Sequence, residues 1–513
     1  MLQTFLDAGP EILASLFTLE TMLCILLGVV GGMFIGALPG LSATMGIALM
    51  LPFTYGLSPI SAIAMLMTIY TSAICGGSIT AILIHTPGTP SSAATALDGF
   101  PLTKQGKGLQ ALGVSISASM IGGTVSAVAL LFLASMLASA ALKFGSMEYF
   151  LLACLGLSVI ASLASESLVK GLLAGCLGLV LGCIGIDASS GYARYTFGIV
   201  PLLGGIPTVP ALIGLFSIPQ VLDQLENARS QGKTVNVAEV AGMSGKVLLP
   251  WKEYKKLLPT ILRSSVIGVF AGILPGAGGE IGSWMAYNTA KNRSKNKELF
   301  GKGSYEGVAA SEAGNNAVTG GACIPMMTLG IPGSAAAAVL MGGLMIHGLQ
   351  PGADLFVKKA STTYAIIFGF MLANIMMGII GLFIARYIVR ITKVPVNILC
   401  PIIVVLAVVG SYAISSDMYN VYIMIIFGLI GYFMRLAKFP PAAMVLGFLL
   451  GHMAEKGLRQ AVNLSRGNLL SYYLHRPISL VITALIVIGI FLPMVLDKIK
   501  ASRSEGRQKP DGQ

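Results

Sequence analysis

Charge is what this sequence lacks. From Thr21 to Leu97 there is no Asp, Glu, Lys or Arg, and charged side chains make up only 11% of the chain. Soluble domains carry about 25%, so the composition excludes an ordinary soluble enzyme or binding module. Further charge-free runs cover Gly108–Leu142, Ala313–Ala353, Ala360–Ala385, Val394–Ser416 and Pro477–Leu496. One membrane pass takes roughly 20 apolar residues, which leaves room for about 10–12 transmembrane helices. The expected fold class is an all-α polytopic membrane protein.

Other absences narrow the function. No polar interval is long enough to hold a core of its own; the longest runs from about Asp223 to Lys256. The start lacks the basic n-region of a signal peptide, so no segment is expected to be removed. Cys24, Cys75, Cys154, Cys176, Cys183, Cys323 and Cys400 form no CxxC and no metal spacing, and read as small buried apolar residues. The four histidines show no HExxH, and Ser78, Ser91 and Ser92 have no His/Asp partners that would make them nucleophiles. "QGKT" at 231–234 is not a P-loop, because the first glycine of that pattern would fall on Asn227. No enzyme is expected, and no cofactor or metal beyond a simple cation such as Na⁺ or H⁺. The net charge of +12 sits in short clusters: Lys104 and Lys107, Arg229–Lys256, Lys291–Lys302 and Lys498–Lys509. That distribution sets membrane orientation, not nucleic-acid binding. It places the central loop and the C-terminal tail in the cytoplasm, while Lys358 and Lys359 leave their own side open.

What is present is a repeated interruption. "GALPG" at 36–40 and "GILPG" at 272–276 put proline and glycine inside apolar stretches. The surrounding segments, 32–51 and 268–287, share Gly, Phe, Gly, Leu, Pro, Gly and a later Gly. A second pair follows. "GGSITAILIHTPGTPSSAA" (76–94) resembles "GGACIPMMTLGIPGSAAAA" (320–338), with one extra residue in the later copy. The organisation expected is a first membrane repeat over 1–217, a polar cytoplasmic loop over 218–258 and a second repeat over 259–393. C-terminal membrane helices over 394–496 and a basic cytoplasmic tail over 497–513 complete it. The C-terminal spans show no counterpart in the first half.

Non-helical backbone at membrane depth survives only inside protein or beside a water-filled cavity. Paired discontinuous helices in repeated halves point to a transporter's binding site. A half-helix N-terminus offers free N–H groups to a carboxylate, and freed carbonyls suit Na⁺. The plainer alternative is packing, since Gly28, Gly32, Gly36 and Gly40 recur every four residues along one helix face. Packing alone calls for neither the prolines nor the hydroxyls that follow them. Ser42 and Thr44 follow the first LPG, and Glu280 stands where Thr44 does in the second copy. "SEAGNNAVTGG" adds Glu312, Asn315 and Asn316 in a charge-poor interval. Glu312 is a candidate coupling carboxylate, with an interfacial helix-capping carboxylate as the alternative.

The strings "GALPGLSATMGIALMLPFTYGLSP", "GGSITAILIHTPGTPSSAATALDGFPL" and "SEAGNNAVTGGACIPMMTLGIPGSAAAAVLMGGLMIHGLQPG" resemble the large membrane subunit of the tripartite tricarboxylate transporters, the TctA family. The resemblance implies a multi-pass permease of the bacterial cell inner membrane, importing tricarboxylates or related carboxylates on a Na⁺ or H⁺ gradient. Its implied partners are a small membrane subunit of about four helices and a periplasmic substrate-binding protein. Similarity to other ion-coupled carboxylate transporters implies an inverted repeat with an elevator-like moving domain. Carried onto this sequence, Gly40, Ser42, Thr44, Pro87, Gly88 and Thr89 form the first repeat's side of a substrate or ion site. Gly276, Glu280, Asn315, Asn316, Pro332, Gly333 and Ser334 form the second. The rival readings are a stand-alone ion-coupled carboxylate transporter or exporter, and a channel-like or structural subunit. A channel would more readily show a ring of like charges or a repeated filter.

Overall fold

Helices end just before both LPG motifs. A computed structural model describes residues 2–38, 41–158, 167–187, 190–230, 246–274, 278–388 and 396–487, without the side chains of 2–8, 168, 227–230, 388, 396 and 397. In chain order the elements begin with α1 (Leu2–Leu16), α2 (Leu19–Ala37), α3 (Ala43–Met50), α4 (Pro59–Ile84), α5 (Ala93–Lys104) and α6 (Gly108–Ala141). Next come α7 (Ser146–Ser158), α8 (Leu168–Gly182) and the antiparallel hairpin β1 (Gly185–Ile186) and β2 (Ala193–Arg194). Then follow α9 (Thr208–Ser230), α10 (Trp251–Ile273), α11 (Gly278–Arg293), α12 (Tyr305–Leu329), α13 (Ala335–Ile346), α14 (Ala353–Val357) and α15 (Ala360–Ile388). The last are α16 (Val396–Ala413), α17 (Met418–Leu436), α18 (Pro441–Leu464) and α19 (Leu469–Leu474). Two compact units result: Met1–Leu142 with Pro207–Leu436, and Lys143–Ile206 with Ala437–Gln513.

The protein is an all-α polytopic membrane protein. Among the described residues, seven helices are long and apolar enough to cross a membrane: α2, α4, α6, residues 208–226 of α9, α10, α15 and α17. Several shorter apolar helices accompany them, α3 and α13 among these. Leu23, Leu27 and Val30 on α2, Phe132 and Met136 on α6, and Ile379 and Phe383 on α15 are exposed, as lipid-facing residues are. The polar content is turned inward. On α4, Ser61, Thr68, Thr71, Ser72, Ser78 and Thr80 are buried; on α12, so are Ser311, Glu312, Asn315, Asn316, Thr319 and Thr328. These two long helices are the centre of the first unit.

At the first break α2 stops at Ala37, Leu38 is extended (φ −89°, ψ 120°), and α3 restarts behind Ser42. Ser42 Oγ accepts the N–H of Met45 at 3.2 Å, a side-chain cap on the new helix start. At the second break α10 stops at Ile273, Leu274 is extended (φ −74°, ψ 113°), and α11 restarts at Gly278. Pro39, Gly40, Pro275, Gly276 and Ala277 lie outside the described residues, as do 231–245 of the polar loop and all of the 497–513 tail.

The same backbone contacts recur at two constant spacings. A Cβ built on Gly36 would strike the carbonyl of Ala73 and come 2.8 Å from Gly77 N. One on Gly272 would come 2.6 Å from Val318 O and 2.8 Å from Ala322 N. Gly76 meets Met33 O as Gly321 meets Val269 O, at 2.6 and 2.5 Å from the built Cβ. Gly36/Gly272 and Met33/Val269 are 236 positions apart; Ala73/Val318, Gly76/Gly321 and Gly77/Ala322 are 245 apart. His85 and Gly330, also 245 apart, end α4 and α12 in the same left-handed conformation (φ 56° and 71°). This register corrects the sequence alignment. No residue is inserted between the GG and PG motifs; the later GG stands one position early, so Gly77 matches Ala322.

The repetition continues into the helices that show no counterpart by sequence. Within the first unit, a Cβ on Gly214 of α9 would strike Met424 O and come 2.9 Å from Gly428 N of α17. Within the second, a Cβ on Gly447 of α18 would strike Gly175 O and come 3.0 Å from Leu179 N of α8. Gly182 approaches Phe448 O as Gly431 approaches Leu215 O. Only glycines at crossing points are shared there, too few for a sequence match.

Asp98 on α5 fastens the entry to α12. Its Oδ1 accepts the N–H groups of Gly301 (2.8 Å), Gly303 (3.0 Å) and Ser304 (2.9 Å), and its Oδ2 accepts the hydroxyl of Tyr287 (2.9 Å). Asp98→Ala strands the buried donors of Tyr287 and Ser304 and the half-buried one of Gly303, at about 1–3 kcal/mol each, so the thermal midpoint should fall sharply. Asp98→Asn keeps an oxygen for the three N–H groups and should lose much less. Equal midpoints for Asp98→Ala and the parent would show that this network does not hold the loop.

Candidate functional site

The PG loops close onto the broken elements. A Cβ on Gly88 would fall on the carbonyl of Gly36 and lie 2.9 Å from Gly77 Cα. One on Gly333 would fall on the carbonyl of Gly272 and lie 2.9 Å from Ala322 Cα. Only glycine permits this approach at either place. Gly88 N–H donates to Gly77 O at 3.0 Å, and Ser92 Oγ donates to Thr89 O (2.7 Å) and Gly77 O (3.1 Å). Each half thus holds the carbonyl of its broken helix under a glycine of its own PG loop. Pro87 is exposed; Gly88, Thr89, Pro332 and Gly333 are buried.

Where α4 meets α12, repeat-equivalent residues touch. Thr71 and Asn316 are 245 positions apart, and Thr71 Oγ1 lies 2.8 Å from Asn316 Oδ1. The same hydroxyl lies 2.6 Å from Asn374 Oδ1 on α15 and donates to one amide oxygen at a time. Asn316 Nδ2 donates to Ser119 O (3.1 Å) and faces Met377 Sδ (3.7 Å). The amide of Asn316 is therefore satisfied by the protein itself.

One turn before it, Glu312 is fully buried with three hydroxyl donors. Ser78 Oγ and Thr95 Oγ1 each donate to Oε1 at 2.5 Å, and Ser119 Oγ donates to Oε2 at 2.9 Å. The carboxylate joins α4, α5 and α6 to α12, with no cation beside it among the described residues. Asn315 is the reverse case. It is also fully buried, yet neither Oδ1 nor Nδ2 has a partner among the described residues. It faces Gly279 at the start of α11 and Ser91 after the first PG loop. A Cβ on Gly279 would lie 2.9 Å from Asn315 Oδ1 and 3.4 Å from Ser91 Oγ.

The remaining sequence candidates divide. Ser334 caps α13 by accepting Ala337 N–H (3.1 Å), and its Oγ lies 2.9 Å from the hydroxyl of Tyr70. Thr89 Oγ1 lies 3.2 Å from Ser91 Oγ. Ser42 caps α3, Thr44 is half-buried, and Glu280 is exposed in the first turn of α11. Gly40 and Gly276 are outside the described residues. Sequence reading missed Tyr70, Thr71, Ser78, Thr95, Ser119 and Asn374. One signal was available: Thr71 and Ser78 stand seven apart, two helical turns, in a charge-free segment. Among the described residues no three His, Cys, Asp or Glu side chains converge to hold a metal.

Over residues 22–446 the chain matches the family described as "Tripartite tricarboxylate transporter TctA family". An uncharacterized 52.8 kDa protein in the TAR-I ttuC' 3'region of Agrobacterium vitis is 36% identical over 480 residues, covering 93% of this chain and 94% of the relative. An uncharacterized protein in the TAR-II ttuC' 3'region of the same organism is 33% identical over 238 residues, covering 46% of this chain and 98% of the relative. No solved structure matches. With its broken helices, paired PG loops and 425 matched residues of 513, this chain belongs to the tripartite tricarboxylate transporter TctA family.

Proposed function

We propose that this chain is the large permease subunit of a binding-protein-dependent secondary transporter in a bacterial inner membrane. It imports tricarboxylates or related carboxylates on a Na⁺ or H⁺ gradient, beside a small membrane subunit and a periplasmic binding protein. One observation carries the reading: a broken helix with a last-turn carbonyl under a PG-loop glycine, built twice, beside helices α4 and α12 whose buried polar groups are nearly all uncharged. The start of α11 supplies N–H groups for an anion without a fixed cation. The two halves form the paired, inverted elements of an alternating-access carrier. Glu312 is the one ionisable exception, and a coupling role suits it.

The chain should accumulate labelled citrate in proteoliposomes only when the small subunit and the loaded binding protein are supplied and a Na⁺ or pH gradient is imposed. Separate gradients identify the ion. Full uptake by this chain alone would refute the dependence on a binding protein, and uptake unaffected by either gradient would refute secondary transport.

A further inference from the structure

The two halves share one backbone plan but differ in what fills it. At +245, Asn315 corresponds to Tyr70 and Ser91 to Ala336; at +236, Gly279 corresponds to Ala43 and Ser283 to Ile47. On one side stand Asn, Ser, Gly and Ser; on the other, Tyr, Ala, Ala and Ile. On the polar side Ser91 meets Thr89, but two residues are unsatisfied. Among the described residues both amide atoms of Asn315 lack partners, as does the buried hydroxyl of Ser283 one turn along α11 from Gly279. The other side is complete. Tyr70 is buried, and its hydroxyl bonds Ser334, the residue 245 positions after Thr89.

Unpaired buried polar groups are costly, and native proteins keep few of them. Those at Asn315 converge on the start of a 16-residue helix, α11, whose first N–H groups have no acceptor inside the helix. An amide and hydroxyls can donate to an anion or offer oxygens to Na⁺; the positive helix start decides for the anion. Extending the proposed transport function, we infer that the protein binds a single carboxylate group at Asn315, against Ser91 and the start of α11. The equivalent position in the other half is closed by Tyr70. The site is functionally one-sided although its scaffold is doubled. Glu280, exposed in that same first turn, makes no ion pair among the described residues, so Na⁺ is the second probe below.

Calorimetry on the purified full-length chain tests this, with citrate, succinate, acetate and Na⁺ titrated separately and thermal unfolding followed in parallel. Asn315→Leu replaces an unpaired amide by an apolar group of similar size. It should raise the unfolding midpoint while weakening citrate binding at least about tenfold. Tyr70→Phe should change citrate affinity by less than about threefold. Asn315→Asp, which opposes an anion, should weaken citrate without tightening Na⁺. Unchanged citrate affinity in Asn315→Leu overturns the assignment, and so does a Tyr70→Phe loss as large as that of Asn315→Leu. Tighter Na⁺ binding in Asn315→Asp makes this a cation site instead. A parent protein that binds none of the three carboxylates overturns the transport reading and this inference together; the variant outcomes overturn the inference alone.

Discussion

Gly88→Ala and Gly333→Ala should each cut carboxylate uptake at least about tenfold, and by similar factors. A methyl group is the smallest possible side chain, so these variants ask only whether the backbone contact matters. At Gly88 the added carbon meets the Gly36 carbonyl, Gly77 Cα at 2.9 Å and Thr80 Oγ1 at 3.0 Å. At Gly333 it meets the Gly272 carbonyl, Ala322 Cα at 2.9 Å and Ala322 Cβ at 3.0 Å. The nearest atoms at both places are backbone and cannot rotate away. Overpacking of this kind costs about 1–3 kcal/mol, and here the strain falls on the loop that closes over the broken helix. About 1.4 kcal/mol lost from the transport-competent arrangement is a factor of ten. Gly56→Ala is the control, because nothing lies within 4 Å of its built Cβ; it should insert and transport like the parent. Normal uptake by Gly88→Ala and Gly333→Ala would reduce the PG loops to ordinary connectors.

The first of these contacts was half legible in the sequence. Charge-free runs gave the membrane class, and the paired LPG and PG strings gave two related halves, because proline and glycine act on the backbone where they stand. What misled was the glycine pair itself. Identical GG doublets at 76–77 and 320–321 look like one aligned feature, yet in space Gly77 corresponds to Ala322. With that single shift Thr71 lands on Asn316 and Tyr70 on Asn315, and the contrast between the halves becomes visible. Asn316 drew attention as an uncompensated amide in an apolar segment. Its partners, Thr71 and the carbonyl of Ser119, come from α4 and α6, 245 and 197 positions away, where local spacing carries no information. Asn315 looked the same on paper, and only burial without partners separates it from its neighbour. The relation of α17 and α18 to α8 and α9 was invisible because apolar helix faces are interchangeable and a few crossing-point glycines carry all the shared geometry.

Glu312→Gln should insert and bind substrate, yet lose gradient-driven accumulation by at least about tenfold while still exchanging labelled for unlabelled citrate across the membrane. The argument starts from what the carboxylate holds. Ser78, Thr95 and Ser119 donate to it from α4, α5 and α6, and Thr95 Oγ1 also lies 2.9 Å from Ser311 Oγ. Glu312→Ala would leave three buried hydroxyls without their acceptor, at about 1–3 kcal/mol each, and should unfold the first unit at much lower temperature. Glutamine has the same length and one acceptor oxygen, and hydroxyl groups can turn to accept its N–H donors. The junction of four helices therefore survives. What glutamine cannot do is alternate between a form that accepts three hydrogen bonds and a protonated form that must donate one. It also cannot give Na⁺ a charged ligand. A purely structural Glu312 would show both losses in step, with stability and uptake falling together in Glu312→Ala and neither falling in Glu312→Gln. A coupling Glu312 separates them, because exchange needs only a closed path between two faces, whereas accumulation needs the ion. If Glu312→Gln accumulates citrate as well as the parent under the same gradient, this carboxylate is an anchor and the coupling ion binds elsewhere.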